Sequence, residues 1–278
     1  MITWADDMGF YEPPEYVLNK YNERNELNMQ IKKATELSRT KDWRMMVYSK
    51  PGIGKTSLAK NLKGKTLVLD MDDSSKVLAG VENIDVIAFD RLHPNKSITE
   101  FMTDAPEMIK NYDNLVIDNI SSFEKDWFIE LGRTSKNGIS NEIQDYSKWT
   151  NYFLRVMTSI YMLKDINILV TAWETLEDYN GETGQALKRY TPNVRANVRD
   201  VILGLTDVVG RLTVNPQTNG RGVILEGNDG IYAKNRLDDR KIVAADQLFN
   251  IGGDQTVHTT STPKKNSRSS EAGTGKGK

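Results

Sequence analysis

The 278-residue chain predicts an α/β fold: a mostly parallel central sheet flanked by helices, with an antiparallel extension toward the C-terminus. Three observations predict it. Between residues 43 and 171, short apolar and β-branched runs alternate with helical stretches, the pattern of a parallel sheet. One of those runs passes through a Gly-x-Gly-Lys-Thr turn into a helical stretch. After residue 205, short strands follow one another across Asn-Pro, Asn-Gly and Asn-Asp-Gly turns.

Along the chain, residues 1–41 are polar. Pro13 and Pro14 precede Val17, Leu18, Tyr21, Leu27, Ile31, Ala34 and Leu37 at roughly helical spacing, which predicts a helical N-terminal prefix packed on the core. Residues 42–252 form that core, with strands expected at 45–48, 66–69, 86–89, 115–117 and 166–171 and a helix at 120–131. A helical stretch runs from Thr191 to about Leu205, its Val194, Val198, Ile202 and Leu205 facing inward and Arg195 and Arg199 exposed. Strands at 208–214, 223–225 and 231–233 make the antiparallel extension. Residues 253–278 are rich in Ser, Thr, Gly and Lys with almost no apolar side chains. They cannot offset their ordering entropy by burial, so a disordered tail is expected, with five basic residues against two acidic.

A formal net charge of -1 makes any nucleic-acid surface a local feature. The absence of cysteine excludes disulfides and thiolate chemistry, and His93 and His258 have no partners at metal-ligand spacing, which argues against zinc. The first thirty residues carry six acids and no apolar h-region, and no run approaches membrane-spanning length. These features predict a cytoplasmic protein without a membrane partner.

The turn after the first strand reads Ser49-Lys50-Pro51-Gly52-Ile53-Gly54-Lys55-Thr56-Ser57. Such a loop presents several backbone N–H groups to one anion at a helix N-terminus. Gly52 and Gly54 allow close approach, Lys55 reaches the β and γ phosphates, and the Thr56 hydroxyl can ligate Mg2+. The full motif begins with glycine; Ser49 stands there instead, a departure that could tighten the first turn. Asn114-Leu115-Val116-Ile117-Asp118 supplies the second half of such a site, an acid ending a buried strand where it can hold the metal. Leu67-Val68-Leu69-Asp70-Met71-Asp72-Asp73 puts three carboxylates at another strand end, with Asp72 the first choice to activate water and Asp73 as readily a cap for the turn begun by Ser74-Ser75. The cofactors implied are ATP and Mg2+.

With these elements placed, residues 43–236 resemble the RecA-like P-loop ATPases, and more closely their small phage-encoded branch of nucleotide-binding, single-strand annealing and recombination proteins. The resemblance implies that Asp72 occupies the place of a water-activating glutamate, one methylene shorter. It implies that Lys234 and Arg236, in Ala233-Lys234-Asn235-Arg236, reach the γ-phosphate of a neighbouring subunit, so that activity requires a homo-oligomer. It also implies two flexible loops that bind single-stranded DNA, 132–138 with Arg133 and Lys136, and 177–189 with Lys188 and Arg189, with Tyr179 or Tyr190 available to stack on bases. Where the recombinases end a strand with Asn-Gln, this chain reads Trp173-Glu174; Trp173 is expected in the core.

The expected function is therefore a DNA-dependent P-loop ATPase that oligomerises on single-stranded DNA for recombination or annealing. A replication or recombination protein is a further expected partner. An AAA-type, helicase-loader-like accessory is the alternative, although Asn119 stands where it would carry a glutamate beside Asp118. A nucleotide-binding regulator that hydrolyses nothing is kept alive by the shortened Asp72. A small-molecule kinase would need an Arg-rich lid, and the Arg195, Arg199 and Arg211 region reads more simply as part of an amphipathic helix and its surroundings.

Overall fold

The computed structural model describes residues 33–181 and 183–252. The expected prefix lies mostly, and the expected tail wholly, outside the described residues. Chain contacts divide into two units, Met1–Ser38 and Arg39–Lys278. The described part of the first holds one short 3-10 turn, Ala34–Glu36.

The second unit is built on one sheet. Its strands are β1 (Arg44–Ser49), β2 (Thr66–Asp70), β3 (Ile84–Ala88), β4 (Asn114–Asp118), β5 (Asn167–Asn180), β6 (Ala186–Pro192), β7 (Val208–Val214), β8 (Arg221–Ile224), β9 (Lys234–Asn235) and β10 (Ile242–Ala244). Their spatial order is β10-β8-β7-β1-β5-β4-β2-β3, with β6 paired to β5 and β9 to β7. The strands from β3 through β1 to β7 are parallel. β8, β9 and β10 are antiparallel additions. The extension is built differently from the one expected: β7 runs parallel to β1, and 231–233 holds only two isolated bridges, both at Ile231.

Every residue of β2 and β4 is buried, as two-sided parallel strands require. Alternation divides their side chains between two cores. Met46, Leu67, Leu69, Leu115, Ile117, Ile168 and Val170 face one, while Met45, Val47, Val68, Val116 and Leu169 face the other. The first core is closed by four helices, α1 (Pro94–Met108), α2 (Ile120–Arg133), α3 (Ile143–Tyr161) and α4 (Ala196–Leu205). Trp149 and Phe153 stack there with centroids 4.5 Å apart. The second core is roofed by 3-10 turns and loops carrying Leu58, Leu62, Leu78 and Leu248.

The segment after the Gly-rich loop, Thr56–Asn61, is a 3-10 turn where a helix was expected. It ends at Leu62, where the backbone becomes extended, and Gly64, at φ 86°, follows just before the chain enters β2 at Thr66. The loop expected at 177–189 is instead a hairpin. β5 continues to Asn180 and pairs antiparallel with β6 through Glu177↔Arg189 and Asp178↔Lys188. Gly184, at φ 83°, supplies the left-handed residue its turn needs.

Candidate functional site

Parallel strands that end together create a crevice at their carboxyl ends. Here that edge gathers Ser49 of β1, Trp173 and Glu174 of β5, Asp118 of β4 and Asp70 of β2; Asp70 and Asp118 stand level in register. The Gly-rich loop rises from β1 at the same edge. Gly52 and Gly54 take φ of 79° and 110°, which side chains with a Cβ resist. A Cβ at Gly52 would meet nothing within 4 Å, so the loop's crest is open.

Lys55 curls back over its own loop. Its Nζ donates to Ser49 O at 3.2 Å, Ser49 Oγ at 3.4 Å and Lys50 O at 3.2 Å. Ser49 therefore does what a glycine could not, offering the ammonium a hydroxyl oxygen. Burial lowers the Lys55 pKa, and the carboxylates of Asp118, Asp72 and Glu174 oppose that shift. An ammonium that has shed water and holds only neutral oxygens suits an incoming phosphate. The six-residue 3-10 turn carries little macrodipole, so the loop N–H groups and Lys55 are the main groups here that an anion would meet.

Thr56 and Asp118 are joined through a residue the sequence did not single out for this role. Thr56 Oγ1 lies 2.9 Å from Ser74 Oγ, and Ser74 Oγ donates to Asp118 Oδ2 at 3.1 Å. Thr171 donates its hydroxyl to Asp118 Oδ1. Among the described residues no three of His, Cys, Asp and Glu gather as a protein cage. A hydroxyl and one carboxylate are instead the sparse oxygen set that magnesium, keeping several waters, accepts. These residues fit that ion.

The three acids after β2 have different fates. Asp70 accepts from the backbone N–H groups of Ser74 and Ser75, both at 3.0 Å, and organises the turn. Asp73 is exposed at φ 60°. Asp72 has one oxygen held by Asn119 Nδ2, while its buried Oδ1 has no partner. Burial raises its pKa, and the Asp118 and Asp70 charges add to that against the Ser74 hydroxyl. A raised, half-bonded carboxyl is what a general base needs. Asn119 has a second duty, since its Oδ1 caps α2 by accepting from Ser122 N at 2.8 Å.

Behind the loop, Glu174 and Arg211 form a bidentate pair at 3.0 and 3.5 Å, and the Arg211 guanidinium lies 3.7 Å from the Tyr190 ring centroid. Trp173 is only half-buried, with Lys125 Nζ 4.2 Å over its ring, so it is not the core residue expected. Arg199, expected at the surface, is buried and pairs with Glu177 at 2.8 Å.

The remaining sequence-predicted residues lie apart. Lys234 donates to the Leu203 and Gly204 carbonyls, and Arg236 to Gly204 O at 3.0 Å, so both cap the C-terminus of α4. Burial, together with the nearby Arg236 charge and against the Asp207 carboxylate, lowers Lys234 to about 8. Arg133 donates to Leu92 O at 3.0 Å, and Lys136 is exposed. Lys188 lies 3.6 Å from Asp178; Arg189 lies 3.6 Å from Glu177 and 4.3 Å over the Tyr179 ring. The mobile basic loop expected here is an ordered strand whose cations face acids.

This fold and site define a P-loop nucleotide-binding α/β protein. A family model described as an AAA domain matches residues 41–237, more than half of the chain, and the chain belongs to that family. Among solved structures it is similar to a KaiC-like protein from the hyperthermophilic archaeon Pyrococcus horikoshii OT3, at 14% identity, covering 66% of this chain and 78% of that one, with a TM-score of 0.39. It is also similar to the RadB recombinase, at 13% identity, covering 66% and 80%, with a TM-score of 0.42. Among curated proteins none matches. No described helix is long and apolar enough to cross a membrane.

Proposed function

We propose that the chain is a RecA-like ATPase that binds ATP with Mg2+, hydrolyses it, and assembles as a homo-oligomer on single-stranded DNA. One observation carries the reading: Lys55, Thr56, Asp118 and the half-bonded Asp72 converge at one sheet edge around an open glycine loop. In this reading Lys55 leaves its loop carbonyls for the β and γ phosphates, and Thr56 and Asp118 hold the metal, which supplies charge neutralisation when bound. Asp72 takes the proton of the attacking water. Lys234 and Arg236 serve the site of a neighbouring copy, and Arg133, Lys136, Lys188 and Arg189 carry the DNA contacts.

A second reading, a nucleotide-binding regulator without turnover, is favoured by Asn119, whose amide restrains the short Asp72 side chain. Hydrolysis of ATP with and without single-stranded DNA, across a salt series, separates the two. The ATPase reading expects DNA to stimulate turnover, salt to weaken the stimulation, and both Lys55→Ala and Lys234→Ala to abolish it. Nucleotide binding without turnover in the parent chain selects the regulator. Turnover indifferent to DNA and to Lys234→Ala removes the oligomeric recombinase mechanism.

A further inference from the structure

An arginine distant in sequence lies on the Gly-rich loop. Arg221 opens β8, and its Nε donates to Ile53 O at 2.7 Å across 168 positions of chain. The same Nε would stand 3.1 Å from a Cβ built on Gly54, so the guanidinium rests against the loop itself. Among the described residues this is its only side-chain hydrogen bond, and no carboxylate pairs with it. An exposed cation placed on a phosphate-binding loop, with most of its five donors unused, has the means to hold an anion.

Register puts it on the side opposite the acids. β8 is antiparallel to β7, with Val214 opposite Arg221, and β7 is parallel to β1. The start of β8 therefore shares the carboxyl-end edge with Ser49, Asp118 and Asp70. From β1 the sheet runs through β5 and β4 to β2 on one hand, and through β7 to β8 on the other. A chain of phosphates whose far end meets Thr56, Asp118 and Asp72 thus points its near end toward Arg221. Arg221 also lines, with Val214, Asn215, Gln217 and Ile242 among others, a groove of about 660 Å³, a size that takes a nucleoside.

We infer that Arg221 is an in-chain phosphate clamp: its guanidinium binds the α-phosphate of the nucleotide, and the groove it lines receives the nucleoside. The inference rests on the nucleotide-binding reading above. Because the α-phosphate is common to ATP and ADP, Arg221 contributes equally to both and little to any step at the γ-phosphate.

Calorimetric titration with ADP and with the β,γ-imido analogue of ATP, each with Mg2+, tests it on the full chain and three variants. Arg221→Gln keeps an N–H for Ile53 O but loses the charge, Arg221→Lys keeps the charge, and Lys55→Ala tests the site as a whole. The expected result is about a tenfold loss of affinity for both nucleotides in Arg221→Gln, largely restored in Arg221→Lys. Unchanged affinity in Arg221→Gln, equal losses in the Gln and Lys variants, or a loss confined to the ATP analogue would each overturn the clamp while the nucleotide reading stood. A parent chain that binds neither nucleotide, or binds both as well with Lys55→Ala, would overturn that reading and the clamp with it.

Discussion

Asp72 shows how one side chain is placed under tension between folding and chemistry. Its Oδ1 is buried without a partner, which costs stability whenever the group is ionised. Burial raises its folded pKa above the ordinary aspartate value, so the unfolded chain loses the proton first, and stability falls as pH rises from that ordinary value through the folded one. Asp72→Asn removes the part of the penalty that comes from the charge. The variant should melt higher than the parent at pH 7, the advantage vanishing as pH falls below the ordinary aspartate range. On the proposed reading its turnover should also drop by roughly 10²- to 10⁴-fold with nucleotide binding retained. Thermal melting across pH checks the first part and single-turnover hydrolysis the second; a variant that melts lower at neutral pH would contradict the unpaired-oxygen argument. At this scale the sequence was informative where a motif is local. Lys55, Thr56 and Asp118 are named by strand-end motifs, and the structure gathers them at one edge with Asp72. Ser74, Thr171 and Arg221 carry no such mark, because a hydroxyl or guanidinium gains its role only from what the fold brings opposite it.

Among elements, the turn from β2 into Ser75–Leu78 links the two candidate metal ligands through one hydroxyl. Removing an orienting partner of this kind typically weakens metal binding by about 10- to 100-fold. Ser74→Ala should therefore raise the Mg2+ concentration needed for half-maximal nucleotide binding or turnover by about tenfold, measured in a magnesium titration at fixed ATP. An unchanged midpoint would leave Ser74 with only its place in the turn. The Glu174–Arg211 pair ties β5 to β7 behind the loop, with side chains only 5% and 16% exposed. Removing one partner of such a pair strands a buried charge, so Glu174→Ala should cost about 3 kcal/mol in urea unfolding, whereas a Glu174→Met and Arg211→Met double variant should recover most of it. The elements the sequence misplaced share a cause. Residues 177–189 were expected as a loop by resemblance to the recombinases, yet Glu177 with Arg189 and Asp178 with Lys188 are cross-strand pairs that make a hairpin. The turn after Thr56 reads as helix by motif and ends at Leu62, where the backbone becomes extended.

At the largest scale the two faces of the sheet differ: among the described residues, four helices cover one face and short turns cover the other. The strand alternation that produces two cores was legible from apolar runs alone, but which core receives helices depends on where the connections cross, and no single run encodes that. The same holds for the most distant consequence of the fold, the position of Lys234 and Arg236. In one copy both side chains close the end of α4, so serving a neighbour's nucleotide requires them to exchange helix carbonyls for phosphate. Lys234 sits at about 8 in the folded chain, below the ordinary lysine value. Its folded form thus binds fewer protons than the unfolded chain between that pH and about 10.5, and stability rises with pH across this window. Its usefulness to a neighbour's phosphate runs the other way, since in the capping position the charge is lost as pH climbs through 8 and must be regained before the side chain can move to phosphate. If the oligomeric ATPase reading holds, turnover per chain should fall on dilution and should decline above pH 8 even as the fold gains stability. Lys234→Arg, which stays charged throughout, should hold its rate well beyond that point. A parent profile flat to pH 10, or an arginine variant that declines in parallel, would confine Lys234 to capping α4 and move the search for the completing cation to Arg236.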